Sequence, residues 1–124
     1  PEEIHLRQQA AQKYTELISK CASLATPIIP DGFKSAWAQY SLLAENEHYR
    51  ETVQTRLKEK GIPTAIYYPN PLHRQTAFNF LDYKKGDFPI SEDYARRIFS
   101  LPMHPYLTEE EQQQVVKMLS DINE

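Results

Sequence analysis

Apolar residues recur along this chain with helical period at both ends and in two inner segments, and with strand-like runs between them. From Glu2 to about Lys20, Ile4, Ala11, Tyr14 and Ile18, flanked by Leu6, Ala10 and Leu17, return every three or four residues with charges between. That spacing predicts an amphipathic helix. Pro27, Pro30 and Gly32 then break the chain. The aromatic-rich run Ser35 to Ala44 alternates loosely and predicts a strand, with Trp37 and Gln39 on one face and Tyr40 and Leu42 on the other. Asn46 is a fitting N-cap, Glu47 suits a helix start, and Tyr49, Val53 and Leu57 lie one turn apart before Gly61 stops the helix. Thr64 to Tyr68 predicts a second strand, ended by Pro69, which cannot donate to a ladder.

Beyond Pro71 the pattern predicts a short helical turn over His73 to Phe80 and a polar loop through Tyr83-Lys84-Lys85-Gly86. Ser91 is expected to cap a helix carrying Glu92 and Asp93 in its first turn, with Tyr94, Ala95 and Ile98 turned inward. Ser100 to Pro102 reads as a brief third strand. Thr108 with Glu111 three residues on forms a capping box, and Val115, Leu119 and Ile122 follow on one face of a last helix. The order α-β-α-β-(α)-α-β-α specifies an α/β (α+β) domain: a small, mostly antiparallel three-stranded sheet covered by helices.

Composition narrows what such a domain can do. A length of 124 residues with 40% hydrophobic content allows one domain with a core. At this size about two-thirds of the unfolded surface is buried, so stability should be modest. The chain opens at Pro1 directly into a helical pattern, the look of a piece of a longer protein. Fourteen basic against 17 acidic residues give net charge −3, with the bases scattered, which argues against nucleic-acid binding. No apolar run approaches the roughly 20 residues that cross a bilayer, and no signal-peptide layout is present, so a soluble cytoplasmic protein is expected. Cys21 is the only cysteine and reads as a packed thiol, excluding an intrachain disulfide and a CxxC metal clamp.

The chemistry-bearing residues gather between Gly61 and Pro105. The runs are Gly61-Ile-Pro-Thr-Ala-Ile-Tyr-Tyr-Pro69, Asn70-Pro-Leu-His-Arg-Gln75, Gly86-Asp-Phe-Pro89 and Phe99-Ser-Leu-Pro-Met-His-Pro105. In order and spacing they resemble the C-terminal small domain of the DegT-type (DegT/DnrJ/StrS) sugar aminotransferases, pyridoxal-phosphate enzymes of fold type I that aminate keto groups on nucleotide-linked sugars. The resemblance covers nearly the whole chain and is strongest from Gly61 onward. It implies that residues 1–34 form a leading helix and linker from a large domain, that 35–124 form the α/β body, and that the parent is a homodimer. It also implies transfer of an amino group, commonly from glutamate, to a keto-sugar nucleotide in polysaccharide or aminosugar synthesis.

The same resemblance places the Tyr67 to Gln75 segment near the active-site cleft. His73, a titratable ring between Leu72 and Arg74 in a Pro-rich loop, is the leading substrate-binding candidate, with Tyr67, Tyr68 and Gln75 beside it. Surface exposure or a turn hydrogen bond is the alternative reading of His73, and edge-strand packing that of the two tyrosines. Tyr67 stands where many members carry histidine; a phenol donates hydrogen bonds but does not titrate near neutral pH. Pyridoxal phosphate needs a Schiff-base lysine, an acid for the pyridinium and a phosphate cup, which the family supplies from its large domain. None of the eight lysines here has that context. No catalytic and no cofactor-binding residue is therefore expected on this chain, which should be inactive alone. His104 is expected to shape the turn before the last helix, His5 and His48 to be exposed, and no metal site to form. An alternative from another class is a non-catalytic binding or regulatory module built on the same fold.

Overall fold

Antiparallel pairing in this protein depends on a five-residue strand with strict alternation. The computed structural model describes residues 2–21, 23–66 and 86–122. Along them run α1 (Glu2–Ile18), β1 (Leu24–Ala25), β2 (Tyr40–Ala44), α2 (Glu47–Glu59), α3 (Pro89–Arg97), β3 (Ile98–Leu101) and α4 (Glu109–Ile122). The strands form one antiparallel sheet in the order β1-β2-β3. Leu24 pairs with Ala44 on one side of β2, and Tyr40, Ser41, Leu42 and Leu43 pair with Leu101, Ser100, Phe99 and Ile98 on the other.

Because side chains alternate along a strand, this register puts Leu24, Tyr40, Leu42, Ala44, Phe99 and Leu101 on one face, and all are buried. There they meet Ala11, Tyr14 and Ile18 of α1, Val53 and Leu57 of α2, and Val115, Val116 and Leu119 of α4 in a single core. Helix α4 lies between α1 and α2. A buried Gln112 amide donates to the Ala10 carbonyl at 2.6 Å, and Lys13 pairs with Glu109 at 2.9 Å, so the first and last helices are locked together. Tyr14 and Tyr40 stack at 4.9 Å between ring centres, and their phenols find Pro102 O and Thr15 Oγ1. Burial pushes both phenol pKa values up, so both stay neutral.

The opposite sheet face carries Ser41, Leu43, Ile98 and Ser100. Ser100 exchanges two backbone hydrogen bonds with Ala65, at 3.1 and 2.8 Å, so its main-chain groups point away from β2. Ser41 and Ser100 are thus a closely spaced, non-hydrogen-bonded pair, and their hydroxyls meet at 2.8 Å.

Helix boundaries follow local chemistry. The Asn46 side chain accepts from the Tyr49 N–H at 2.8 Å, and Gly61, at φ 76°, takes the left-handed turn that ends α2. Thr108 and Glu111 form the expected capping box at 2.9–3.1 Å. Helix α3 starts earlier than expected: Pro89 occupies its first turn after Phe88, so Ser91 is inside the helix and not its cap. The Glu92 carboxylate instead accepts the Gly86 N–H at 2.8 Å.

Other differences have equally local causes. The expected strand from Ser35 shrinks to Tyr40–Ala44, because Trp37 adopts φ 53° and cannot continue an extended run. Of the expected strand Thr64 to Tyr68, the described residues show a single bridge at Ala65. Tyr67 and Tyr68 and the helical turn His73 to Phe80 lie outside the described residues. The third strand starts at Ile98, two residues before Ser100, and ends at Leu101. Tyr94 is 46% exposed where an inward position was expected, while Ala95 is buried. The segment read as leading helix and linker contributes α1 to the core and Leu24–Ala25 to the sheet. Helix α1 buries Ile18 and half-buries Leu6 and Leu17. Most large exposed apolar side chains lie elsewhere, at Ile28, Ile29, Phe33, Phe88, Ile90 and Tyr94.

Candidate functional site

Helices pack on one face of the sheet, and among the described residues two grooves open where its outward residues meet the loops. The larger, of about 330 Å3, is lined by Pro27, Ser35, Trp37, Ser41 and Leu43 with Tyr94 and Ile98 across from them. The smaller, of about 160 Å3, runs past Pro63, Thr64, Ala65, Ser100 and Met103. Gln39 lines both, and the hydrogen-bonded Ser41–Ser100 pair contributes one hydroxyl to each. The two therefore share a wall.

Trp37 sits at this wall in a conformation that costs a bulky residue about 1–3 kcal/mol. Its surroundings hold it there. The Arg7 guanidinium donates to the Trp37 carbonyl at 3.0 Å, Ser35 Oγ accepts the Trp37 N–H at 3.1 Å, and the indole stacks on Tyr40 at 5.6 Å. The far rim is fixed from α2: the buried Arg50 guanidinium donates to the carbonyls of Ala95 (2.7 Å) and Ile98 (3.3 Å), at the end of α3. Arg97, paired with Asp93, donates to the Ala44 carbonyl at 2.7 Å and ties α3 to β2. Among the described residues that line the two grooves there is no Asp, Glu, His, Lys or Arg. The arrangement can hold a neutral group through hydroxyls, an amide and aromatic rings.

Tyr67, Tyr68, His73 and Gln75 lie outside the described residues. The chain passes into their segment from Ala65, which is held on β3 beside the smaller groove, and returns at Gly86. His104 accepts the Tyr106 N–H on Nδ1 at 3.2 Å, the turn-shaping role expected of it. His5 and His48 are exposed. Among the described residues no group of His, Cys, Asp and Glu has the arrangement of a metal site. Of the described lysines, Lys20, Lys34, Lys58, Lys60 and Lys117 are exposed, and Lys13 is paired with Glu109. Trp37, Gln39, Tyr94 and Ser100 were not singled out as binding residues from sequence. The signal available was a lone tryptophan following a Pro-rich loop.

Comparison with known proteins gives the arrangement its context. A profile of the DegT/DnrJ/EryC1/StrS aminotransferase family matches residues 1–120. The chain belongs to that family. Within the DegT/DnrJ/EryC1/StrS family it is 42% identical over 106 residues to a UDP-2-acetamido-2-deoxy-3-oxo-D-glucuronate aminotransferase of Pseudomonas aeruginosa, which covers 86% of this chain and 28% of that protein. It is 40% identical over 117 residues to a protein of Geobacillus stearothermophilus named a pleiotropic regulatory protein, covering 93% of this chain and 31% of the other. A crystal structure of a family member from Brucella abortus superposes with TM-score 0.84 at 39% identity, over 98% of this chain and 31% of that one. The fold alone is shared with DesV of S. venezuelae, at TM-score 0.90 and 23% identity. The chain thus spans under a third of the length of these relatives. Its fold is that of the small domain of a fold-type I aminotransferase.

Proposed function

We propose that this chain is the C-terminal domain of a pyridoxal-phosphate-dependent aminotransferase acting on a keto-sugar nucleotide, with glutamate as amino donor. The observation that supports it most is the family match over residues 1–120, joined to 42% identity with an enzyme named for a UDP-linked 3-oxo sugar. In this reading the large domain, outside residues 1–124, holds the cofactor, whose ring supplies the electron sink for amino transfer. The chain's own residues bind and orient the sugar nucleotide. His73, Tyr67, Tyr68 and Gln75 supply substrate contacts from the segment that begins just beyond Ala65. The working form is a cytoplasmic homodimer.

Steady-state kinetics of the intact parent, with amino donor saturating, test this assignment. His73→Ala is expected to raise KM for the nucleotide sugar roughly 2- to 150-fold, the span between losing a neutral hydrogen bond and one to a charged phosphate. Tyr68→Phe should change little. A kcat loss beyond about 100-fold at unchanged KM would make His73 a catalytic group. No amino transfer to any UDP- or dTDP-linked keto-sugar would sink the enzyme reading.

A second reading has its own support. The 40% identical relative bears the name of a regulatory protein, and a 32% identical one from Saccharopolyspora erythraea is named a sensory transduction protein. The same fold would then serve as a non-catalytic binding or regulatory module. The kinetic experiment separates the two, since the module turns over no keto-sugar.

A further inference from the structure

We infer that the cleft framed by Trp37, Gln39 and Tyr94 is a subsite for the pyrimidine base of the nucleotide sugar. This rests on the nucleotide-sugar reading above and adds to it a binding surface on residues far in sequence from the Tyr67–Gln75 segment. Size is the first argument. At about 330 Å3 the larger groove lies near the lower end of the roughly 300–1,000 Å3 of small-molecule sites, enough for one ring system and too small for a whole nucleotide sugar. Charge is the second. Among the described residues no cationic side chain lines the groove, so a diphosphate finds no charged partner among them, whereas a neutral base needs none.

The groove also presents the groups that a base requires. Trp37 and Tyr94 offer aromatic surface, on which a base stacks whatever its identity. One edge of the Gln39 amide, a carbonyl oxygen beside an N–H, complements an adjacent N–H and carbonyl of a pyrimidine imide edge. Ser35 and Ser41 place hydroxyls alongside. The left-handed backbone of Trp37 persists because Arg7 and Ser35 hold it, and strain maintained in this way clusters at ligand sites. Gln39 and Ser41 continue from this wall to Ser100 and Ala65 in the adjoining groove, which leaves room beside the base for the rest of a nucleotide.

Trp37 is the only tryptophan, so its emission reports directly on the proposed subsite. The 124-residue chain would be titrated with uridine, and with ribose 5-phosphate as a probe that lacks the base. Saturable quenching by uridine is expected, with a dissociation constant on the order of 1 mM, as suits a small, uncharged ligand. Ribose 5-phosphate should leave the emission unchanged. Gln39→Ala and Tyr94→Ala, both at exposed positions, should each weaken uridine roughly 2- to 12-fold without altering the fold. Quenching that rises linearly without saturation, or equal affinity in the two variants and the parent, would overturn the proposal. So would the absence of any response, the outcome if another domain or a second copy covers the cleft. Turnover of keto-sugar by the parent without uridine binding removes this subsite alone. Uridine binding without turnover keeps the subsite and removes the transaminase reading.

Discussion

Glu111 shows how one exposed side chain sets the acid limit of a helix. Its carboxylate accepts the Thr108 backbone N–H and hydroxyl, and these bonds, the backbone one first, hold its pKa below the ordinary 4.5. A group whose folded pKa is depressed adds stability above its unfolded pKa and loses it as pH falls through the folded value. The contribution of Glu111 is therefore complete near neutrality and disappears below pH 4.5. Glu111→Gln should melt earlier than the parent at pH 7, with the difference closing as pH falls through that range. Thermal melts followed at the helical circular dichroism band over pH 3 to 7 would measure it, and a pH-independent difference would count against this account. The cap was legible in sequence because Thr and Glu at three-residue spacing have few other uses at a helix start. The conformation of Trp37 was not, because nothing in an aromatic-rich run reveals that Arg7, 30 residues earlier, holds its carbonyl.

At the scale of elements, α3 is held by arginines rather than by an apolar face, since Ala95 is its only buried residue. Arg50 reaches from α2 to the Ala95 and Ile98 carbonyls, and Arg97 binds the Ala44 carbonyl. Arg50→Met keeps most of the side-chain volume and removes both charged hydrogen bonds, so it is expected to cost about 1.5–3 kcal/mol. For a domain of this length that corresponds to a melting-point drop of several degrees, on the order of 3–6 °C per kcal/mol. A variant as stable as the parent would show that the two carbonyls are satisfied without Arg50. Helices α1, α2 and α4 were legible because each carries a core-facing stripe, and the Asn46, Gly61 and Thr108 signals fix their ends. Helix α3 was placed three residues late, because Ser91 offers a cap while the N-cap is Phe88 and Pro89 defines the start. Strand β1 escaped notice since two residues, Leu24 and Ala25, carry no period at all.

At the scale of the whole molecule, one core joins residues separated by most of the chain, and Leu119 sits fully buried within it. Leu119→Ala should cost about 2–5 kcal/mol, a transfer loss plus a cavity among Val115, Val116 and the α1 and α2 side chains. Urea unfolding would report it as a lower midpoint at unchanged slope. A cost below 1 kcal/mol would mean that the core collapses around the smaller residue. The fold class was readable because periodicity records which faces are buried. Of the proposed binding surface, motif order suggested the Tyr67–Gln75 segment, whereas the Trp37–Gln39–Tyr94 cleft arises only when β2, α3 and the loop before β2 meet in space.

The lock between α1 and α4, through Gln112 on the Ala10 carbonyl and Lys13 on Glu109, spans about a hundred residues of chain. A ribosome adding roughly 5–20 residues per second must therefore hold the first helix without its partner for several seconds. During that interval Tyr14 and Ile18 lack the part of the core that α4 supplies, and their apolar surface stays open to association. Stalled chains ending at residue 107 should accordingly be digested by protease at α1, while chains carrying α4 clear of the exit tunnel resist; equal digestion of both would show that α1 docks before synthesis is complete.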